Sequence, residues 1–325
     1  MAAGQIYLYG EAHGVERIMD RQLELWREHY FRRHIRHLFL EYPYYTMQFL
    51  NIWMASDNDD ILYQVYNDLI GTACAVSYWP VFFKTIKEEM PQTIFHGTDV
   101  GHQYDTIGQR FLQYLKASGL QDTPQYALTL ESIAQGKTFY ENPDFDAYRE
   151  TKMTENFVRE FEMLAGQSVM GIYGTMHIAF GEIEEEGTPA VPTMAKGLQA
   201  RYGDAVQVAD LSYLALRTEP IHMEKITVGG KLYDAAYFGE EDIPWSENYV
   251  RRKFWRLENV GEDFAKCGTV ASMNVLPYDN YPTPVETGQV FVIDYTAPGG
   301  SVDRQYFRAD GDIWQGQRIT CQIEI

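Results

Sequence analysis

The sequence is poor in cysteine, and its three cysteines (Cys74, Cys267 and Cys321) show no paired spacing. Such a pattern does not predict a disulfide framework, and it fits a reducing compartment. No apolar run is long enough to cross a bilayer, and the N-terminus reads as a strand without a basic segment and an apolar leader. We therefore predict a cytoplasmic protein without a membrane partner.

Positive charge is also scarce. The chain of 325 residues has 27 lysines and arginines against 46 aspartates and glutamates, a formal net charge of −19. Because this charge repels phosphate backbones and anionic lipid surfaces, we expect no nucleic-acid partner. With 45% hydrophobic and 14% aromatic residues the chain can bury a substantial core, and its length allows one large domain and a small one.

Several familiar catalytic signatures are missing. The sequence has no Gly-x-Ser-x-Gly, no Walker loop, no Gly-x-Gly-x-x-Gly and no His-Glu-x-x-His. Cys74 lies in an apolar helical stretch, where a structural thiol is the default. Covalent catalysis by serine or cysteine therefore finds no support, and no helical pair of histidines indicates a metal site.

What the sequence does contain is an alternation of short apolar strands with helical patterns over residues 1–220. This alternation predicts an α/β fold with a mostly parallel sheet flanked by helices. Past Pro220 the pattern changes to short strands separated by glycine and proline, and apolar and polar residues alternate from Arg318 to Ile325. We predict an α/β domain in residues 1–220 and a small β-rich C-terminal region in residues 221–325.

Four of the predicted strands are followed by a carboxylate or an imidazole, namely Glu11 with His13, then Glu41, Asp99 and His177. Because the carboxyl ends of parallel strands meet at one edge of a sheet, these residues are predicted to line one cleft. Gly10 and Gly14 bound the first of these turns, and they permit backbone angles that larger residues resist.

A helix predicted from about Asp144 to Leu164 carries further polar residues. Arg149, Met153 and Asn156 lie at positions i, i+4 and i+7, and therefore on one face of this helix. Glu150 flanks that face. Because the face packs through Met153, it can carry Arg149 towards the cleft.

Two histidines and several carboxylates support two kinds of chemistry. Without a metal, a histidine with a pKa near neutrality takes a proton from water while a carboxylate orients its ring. Arg149 would then stabilise the anionic intermediate. With a metal, imidazoles and carboxylates hold a divalent ion that lowers the pKa of its bound water. His96 and His102 bracket Asp99 and are candidates for supporting groups.

The order of these motifs resembles that of a known superfamily. The motifs are Gly10-Glu11-x-His13, Glu41, Arg149-Glu150-x-x-Met153-x-x-Asn156 and Gly174-x-x-His177. They are similar to those of the erythromycin esterases and ChaN-like proteins, a superfamily that includes the TraB-type proteins, and they cover roughly residues 4–217. The resemblance implies an α/β fold with an active cleft at the carboxyl edge of the sheet.

The resemblance also implies roles for single residues. In the esterase branch the histidine of the first motif is the proposed water-activating base, which is His13 in this chain. We therefore expect a catalytic group formed by His13, Glu11, Glu41, Arg149 and His177. Substrate binding is assigned to the neighbouring polar residues Asp99, Glu150 and Asn156.

One feature departs from the esterase pattern. Only Ala12 separates the glutamate from the histidine, whereas the esterases usually place two residues between them. This spacing is closer to the ChaN-like and TraB-like forms, which are associated with haem or with metal-dependent peptide cleavage. Our leading hypothesis is a hydrolase of an ester, lactone or amide bond in a small molecule or peptide, with no cofactor expected.

Three alternatives stay open beside this hypothesis. The first is a metal-dependent hydrolase or peptidase of TraB type, with a divalent metal held by His13, His177, Glu11 and Glu41. The second is a non-catalytic protein of ChaN type that binds haem or another small ligand. The third is a scaffold in which the polar strand ends are structural.

Overall fold

The computed structural model describes residues 4–141, 146–184, 189–270, 275–314 and 316–325. The chain divides into two compact units: residues 1–70 with 77–212, and residues 71–76 with 213–325. Each unit has a sheet of its own. The boundary that we placed at residue 220 stays a prediction.

The first unit is built on a parallel sheet. Its strands, in chain order, are β1 (Ile6–Glu11), β2 (His37–Pro43), β3 (Ile94–Asp99), β4 (Val169–Gly174), β5 (Glu182–Ile183), β6 (Val191–Pro192) and β7 (Val206–Asp210). Five of them form the sheet in the order β3-β2-β4-β1-β7, with parallel pairing throughout, while β5 and β6 form a separate antiparallel ribbon. The predicted α/β fold is confirmed.

Helices flank this sheet. Those of the described residues are α1 (Glu16–Arg32), α2 (Tyr44–Met54), α3 (Asp60–Asp68), α4 (Tyr78–Glu89), α5 (Gln109–Ala117), α6 (Pro124–Glu141), α7 (Asp146–Glu162), α8 (Thr175–Ile178) and α9 (Met194–Tyr202). The helix predicted from about Asp144 is described from Asp146, and Asp144 itself lies outside the described residues. Within the described part of the chain, no helix combines the length and the apolar character needed to cross a bilayer.

The core of this unit surrounds strand β4, whose six residues are all buried. Parallel sheets are covered on both faces, so a central strand is apolar throughout instead of alternating. The helices α7 and α9 contribute to the same apolar cluster, which includes Phe39, Met153, Phe157, Tyr173 and Leu198. Met153 thus packs in the core, as the helical spacing of α7 required.

The second unit is the predicted β-rich region. Its strands are β8 (His222–Val228), β9 (Lys231–Asp242), β10 (Arg251–Leu257), β11 (Val275–Pro277), β12 (Val290–Thr296), β13 (Val302–Arg308), β14 (Ile313–Trp314) and β15 (Gln317–Gln322). They form an antiparallel sheet in the order β11-β15-β13-β12-β10-β9-β8, with β14 paired to β15. Successive residues of β12 alternate between two apolar clusters, one containing Phe291 and Ile293 and the other Val290 and Val292.

Two glycines of the first unit set how the loop after β3 packs on α6. A Cβ atom added to Gly136 of α6 would overlap the backbone of Gly101, and one added to Gly101 would overlap the carbonyl of Ser132. The loop and the helix therefore touch backbone to backbone. Gly136 and Tyr140 lie at i and i+4, on one face of α6, so this contact carries Tyr140 over the residue that follows Gly101.

This contact predicts the effect of Gly136→Ala. Helix propensity alone would favour alanine by about 1 kcal/mol, but overpacking against a rigid backbone typically costs about 1–3 kcal/mol. We expect the clash to win and the melting temperature to fall. The matched control is Gly181→Ala, where the added Cβ would lie 3.8 Å from Thr193, an ordinary contact. An unchanged or higher melting temperature for Gly136→Ala alone would contradict the packing described here.

Candidate active site

Polar side chains meet at the carboxyl edge of the parallel sheet. Seven of them form one connected set of hydrogen bonds and ion pairs, here called the edge cluster, which consists of Glu11, His13, Glu41, Asp99, Arg149, Glu150 and His177. Glu11 ends β1, Glu41 lies near the end of β2, Asp99 ends β3, and His177 lies in α8 directly after β4. The parallel register places these ends on the same edge.

Glu41 is at the centre of the edge cluster. Its Oε1 atom lies 2.6 Å from Nη2 of Arg149, 3.2 Å from Nε2 of His177 and 3.7 Å from Nε2 of His13. Its Oε2 atom accepts a hydrogen bond from the backbone N–H of Gly174. Burial alone would raise the pKa of this carboxyl, but the hydrogen bond and charge of His177, with the charges of His13 and Arg149, lower it to about 2. Glu41 is therefore ionised at neutral pH.

His13 lies at the outer side of the edge cluster, with 34% of its side chain exposed. Its Nδ1 atom donates a hydrogen bond of 2.7 Å to Glu11, whose other carboxylate oxygen accepts one from the side chain of Gln22. Burial would lower the pKa of His13, but the hydrogen bond with Glu11 and the charges of Glu41 and Glu11 outweigh it and raise the pKa to about 9. The free protein therefore holds His13 as a cation at neutral pH.

Two glycines make room for this histidine. Gly14 has φ of 73°, so the turn after His13 uses the left-handed region that glycine adopts without strain. A Cβ added to Gly174 would lie 3.1 Å from Nε2 of His13, a tight contact, so the lack of a side chain there favours the approach of the imidazole to Glu41. Gly10 does not have a positive φ. It instead leaves room for Ile178, because a Cβ atom added to Gly10 would lie 2.7 Å from Cγ1 of that side chain.

His177 is the more enclosed imidazole. Its Nδ1 atom bonds to Glu150, and the second carboxylate oxygen of Glu150 accepts the backbone N–H of Met194 at 2.6 Å. Burial opposes protonation, but the hydrogen bonds with Glu150 and Glu41 outweigh it and raise the pKa of His177 to about 10. Glu150 is itself buried and orients the imidazole.

Arg149 joins two strand ends. From α7 its Nη2 reaches Glu41, while Nε and Nη2 lie 3.0 Å and 2.6 Å from the two oxygens of Asp99. Asp99 has no exposed side-chain surface and also accepts the backbone N–H of Val100 at 2.7 Å. Burial would raise the pKa of Asp99, but the charges of Arg149 and His102 hold it well below its usual range.

The contacts extend beyond the residues that the sequence singled out for the site. His102 places Nε2 3.0 Å from Asp99 and Nδ1 2.6 Å from the hydroxyl of Tyr140. Of the two histidines that bracket Asp99 in sequence, His102 therefore contacts it. His96 instead bonds to Glu160 and His37. Nothing in the local pattern marked Tyr140, because it lies far from Asp99 in sequence on a different helix.

Asn156 lies outside the edge cluster. Its side-chain N–H groups donate to the carbonyl of Thr98 at 3.2 Å and to Gln135 at 2.9 Å, and its oxygen accepts from Gln135 at 3.2 Å. The side chain is buried, and both ends of the amide are bonded. In the structure Asn156 ties α7 to β3 and α6, and its assignment to substrate binding stays a prediction.

Three solved structures resemble this one. A mutant of the erythromycin esterase EreC in its open conformation aligns with a TM-score of 0.48 and 12% identity, over 71% of this chain and 75% of that chain. A succinoglycan biosynthesis protein aligns at 0.44 and 15% identity, over 71% and 70%. A protein from Bacillus cereus aligns at 0.44 and 12% identity, over 93% and 88%. The likeness concerns the fold alone.

Comparisons of the sequence alone gave a different result. No family model matches the chain, and no curated protein matches it either. The roles of the residues in the edge cluster therefore depend on the geometry of this chain alone.

The side chains of the edge cluster include potential metal ligands. Each imidazole is backed by a carboxylate at Nδ1, as metal-bound histidines are. However, both Nε2 atoms face Glu41, and the guanidinium of Arg149 lies 2.6 Å from the same oxygen, where a metal would need that oxygen as a ligand. Among the described residues no group of three or more histidine, cysteine or acidic side chains is arranged to hold a metal ion. The guanidinium of Arg149 therefore occupies the position beside Glu41 that a divalent metal would need.

The raised pKa of His177 predicts a dependence of stability on pH. A group whose pKa rises from 6.5 to about 10 on folding contributes stability that is fully present below pH 6.5 and is lost as the pH approaches 10. Breaking such a buried pair typically costs about 3–5 kcal/mol. We expect His177→Gln to lower the melting temperature at pH 6.5 and the gap to wild type to shrink by pH 10.

The measurement is a series of melting curves at several pH values. The control is His222→Gln, at a histidine whose side chain is half exposed in the second unit. A gap between wild type and His177→Gln that stays constant from pH 6.5 to 10 would mean that the imidazole is not held as a cation.

Proposed function

We propose that this protein is a hydrolase of an ester, lactone or amide bond, with His13 as the base that activates water. The observation that carries the proposal is the setting of His13. Its Nδ1 is held by Glu11, and its ring is the most exposed imidazole of the edge cluster. An imidazole held at one nitrogen by a carboxylate and open to solvent has the arrangement of a general base.

The two histidines divide the chemistry between them. His177 is paired with carboxylates at both ring nitrogens, Glu150 at Nδ1 and Glu41 at Nε2, and only 12% of its side chain is exposed. His13 has its carboxylate partner Glu11 at Nδ1 and is 34% exposed, so it can meet water and exchange its proton with it. His13 is therefore the base, while His177 stays a cation beside the reacting carbonyl.

The reaction follows from these roles. In neutral His13 the Nδ1–H donates to Glu11, and the lone pair on Nε2 takes a proton from a water molecule. The water oxygen attacks the carbonyl carbon, and the resulting oxyanion is stabilised by the cations His177 and Arg149. Collapse of this intermediate expels the leaving group, which takes a proton from solvent to become the alcohol or amine. His13 then returns its proton to solvent.

The main competing view is a purely structural cluster. A structural network of ion pairs is expected to bury its members, because their charges strengthen one another most away from water. His13 departs from this expectation, since a third of it faces solvent although Glu41 beside it is almost fully buried. The exposed end of an otherwise enclosed network supports a site that meets a substrate.

The pKa of His13 predicts the pH dependence of the rate. Because the base must be neutral, kcat/KM should rise tenfold per pH unit and level off near pH 9. At pH 7 it should be about 10²-fold below the plateau. Above pH 9, His13→Asn should lose about 10²–10⁴-fold in kcat with little change in KM. The substrates are a panel of small esters, lactones and amides.

The control for this variant is His34→Asn. His34 is exposed outside the cluster at φ of 56°, a conformation that asparagine tolerates, so the same exchange there should leave the rate unchanged. A profile already flat between pH 6 and 8, or full activity of His13→Asn, would remove His13 from the role of base.

The metal-dependent and haem-binding alternatives are tested on the purified protein. Elemental analysis that finds a stoichiometric divalent metal, together with loss of activity on chelation, would replace the proposal by a metal-dependent hydrolase. A Soret band in the visible spectrum would favour a haem-binding protein. Hydrolysis without metal or haem supports the metal-free mechanism.

A further inference from the structure

The chain of contacts at the sheet edge has two ends that reach solvent. It runs from His13 through Glu41, Arg149 and Asp99 to His102, and it ends at Tyr140. The interior members are less exposed, from 0% for the Asp99 side chain to 21% for that of His102, whereas His13 is 34% and Tyr140 is 53% exposed. The contacts thus connect an exposed imidazole with an exposed phenol through Arg149.

The phenol of Tyr140, at the second end of this chain of contacts, is supported by a histidine and a buried carboxylate. Its oxygen lies 2.6 Å from Nδ1 of His102, and Nε2 of that ring lies 3.0 Å from the fully buried carboxylate of Asp99. The backbone contact of Gly101 with Gly136 fixes α6 against the loop after β3, so the distance between phenol and imidazole is set by rigid elements. A surface tyrosine without a function needs no such support.

We propose that Tyr140 is a catalytic residue of this site, the donor of the proton that the leaving group takes, with His102 and Asp99 as positioning residues. The inference rests on the proposed hydrolase function. It supplies what the mechanism above lacks, since His13 removes a proton from water but no group yet protonates the departing oxygen.

The proton transfers balance. Asp99 is ionised, so Nε2–H of His102 donates to it, and before substrate binds Nδ1 of the same ring accepts the phenol hydrogen. As the bond from the carbonyl carbon to the leaving oxygen breaks, that oxygen keeps the bond's electron pair and takes the phenol hydrogen in place of Nδ1. The phenolate of Tyr140 then recovers a proton from water. The proton held by His13 returns to water.

The order of acidities agrees with this division of roles. Burial and the nearby charge of Asp99 raise the pKa of Tyr140 above its usual value of 10, although Arg149 opposes the shift. The pKa of His13 is about 9. Around pH 9 the cleft therefore offers a neutral base at one end and a protonated phenol at the other, which is the pairing that general acid–base catalysis needs.

The experiment varies the leaving group at constant acyl group. Wild type and Tyr140→Phe are compared on the acetate esters of 4-nitrophenol, phenol and benzyl alcohol, in order of falling acidity of the alcohol. A poor leaving group depends on the acid, whereas nitrophenolate leaves without one. We expect Tyr140→Phe to lower kcat/KM about 10²-fold or more for the benzyl ester and less than about tenfold for the nitrophenyl ester.

Two further variants complete the test. Tyr104→Phe is the matched control, because its ring lies 6.1 Å from that of Tyr140 and the exchange removes the same hydroxyl from the same patch. Its kcat/KM should match wild type on all three esters. His102→Gln should show the selectivity of Tyr140→Phe to a smaller degree, since the phenol remains but loses its support.

The outcomes separate the two proposals. A loss in Tyr140→Phe that grows from nitrophenyl to benzyl ester supports the inference. An equal loss on all three esters, or none, overturns it and leaves the hydrolase function standing. If wild type hydrolyses none of the three esters nor any member of the wider panel, the proposed function fails, and the inference fails with it.

Discussion

The buried ion pairs of Arg149 with Glu41 and Asp99 are the interaction on which the rest of the structure depends. One guanidinium satisfies carboxylates from two neighbouring strands, and it does so from a helix that arrives later in the chain. Leaving such carboxylates without the cation would typically cost about 3–5 kcal/mol. The pairing therefore ties α7 to the edge of the sheet and allows negative charges to stand side by side in its interior.

Glu41 is the carboxylate that both histidines share. Burial alone would favour its neutral form, but the imidazoles and Arg149 keep it ionised. Glu11 for His13 and Glu150 for His177 favour the protonated imidazole most, and Glu41 adds to both. The difference between them follows from enclosure. His177 is held by the buried Glu150, whereas His13 meets solvent, so His13 gives up its proton more easily.

The same edge shows why glycines recur there. The backbone at Gly174 is approached by His13, and Gly101 meets Gly136 without side chains between them. Glycine loses more conformational freedom on folding than other residues, which costs stability, and alanine is preferred over it inside a helix. These glycines persist where two backbones, or a backbone and an imidazole, must come closer than a Cβ allows. The positions of His13 and Tyr140 both depend on such contacts.

The sequence by itself determined the parallel sheet, the β-rich tail and the set of polar strand ends. Apolar runs and helical spacing report local burial, and a parallel sheet brings its strand ends to one edge whatever their order. The helical spacing of Arg149, Met153 and Asn156 likewise predicted that Arg149 faces that edge. Only the tertiary structure decided that Glu41 is the centre, that Asn156 lies behind the cluster, and that His102 joins Tyr140 to Asp99. These contacts depend on strand order and on how helices distant in sequence pack, which no local pattern records.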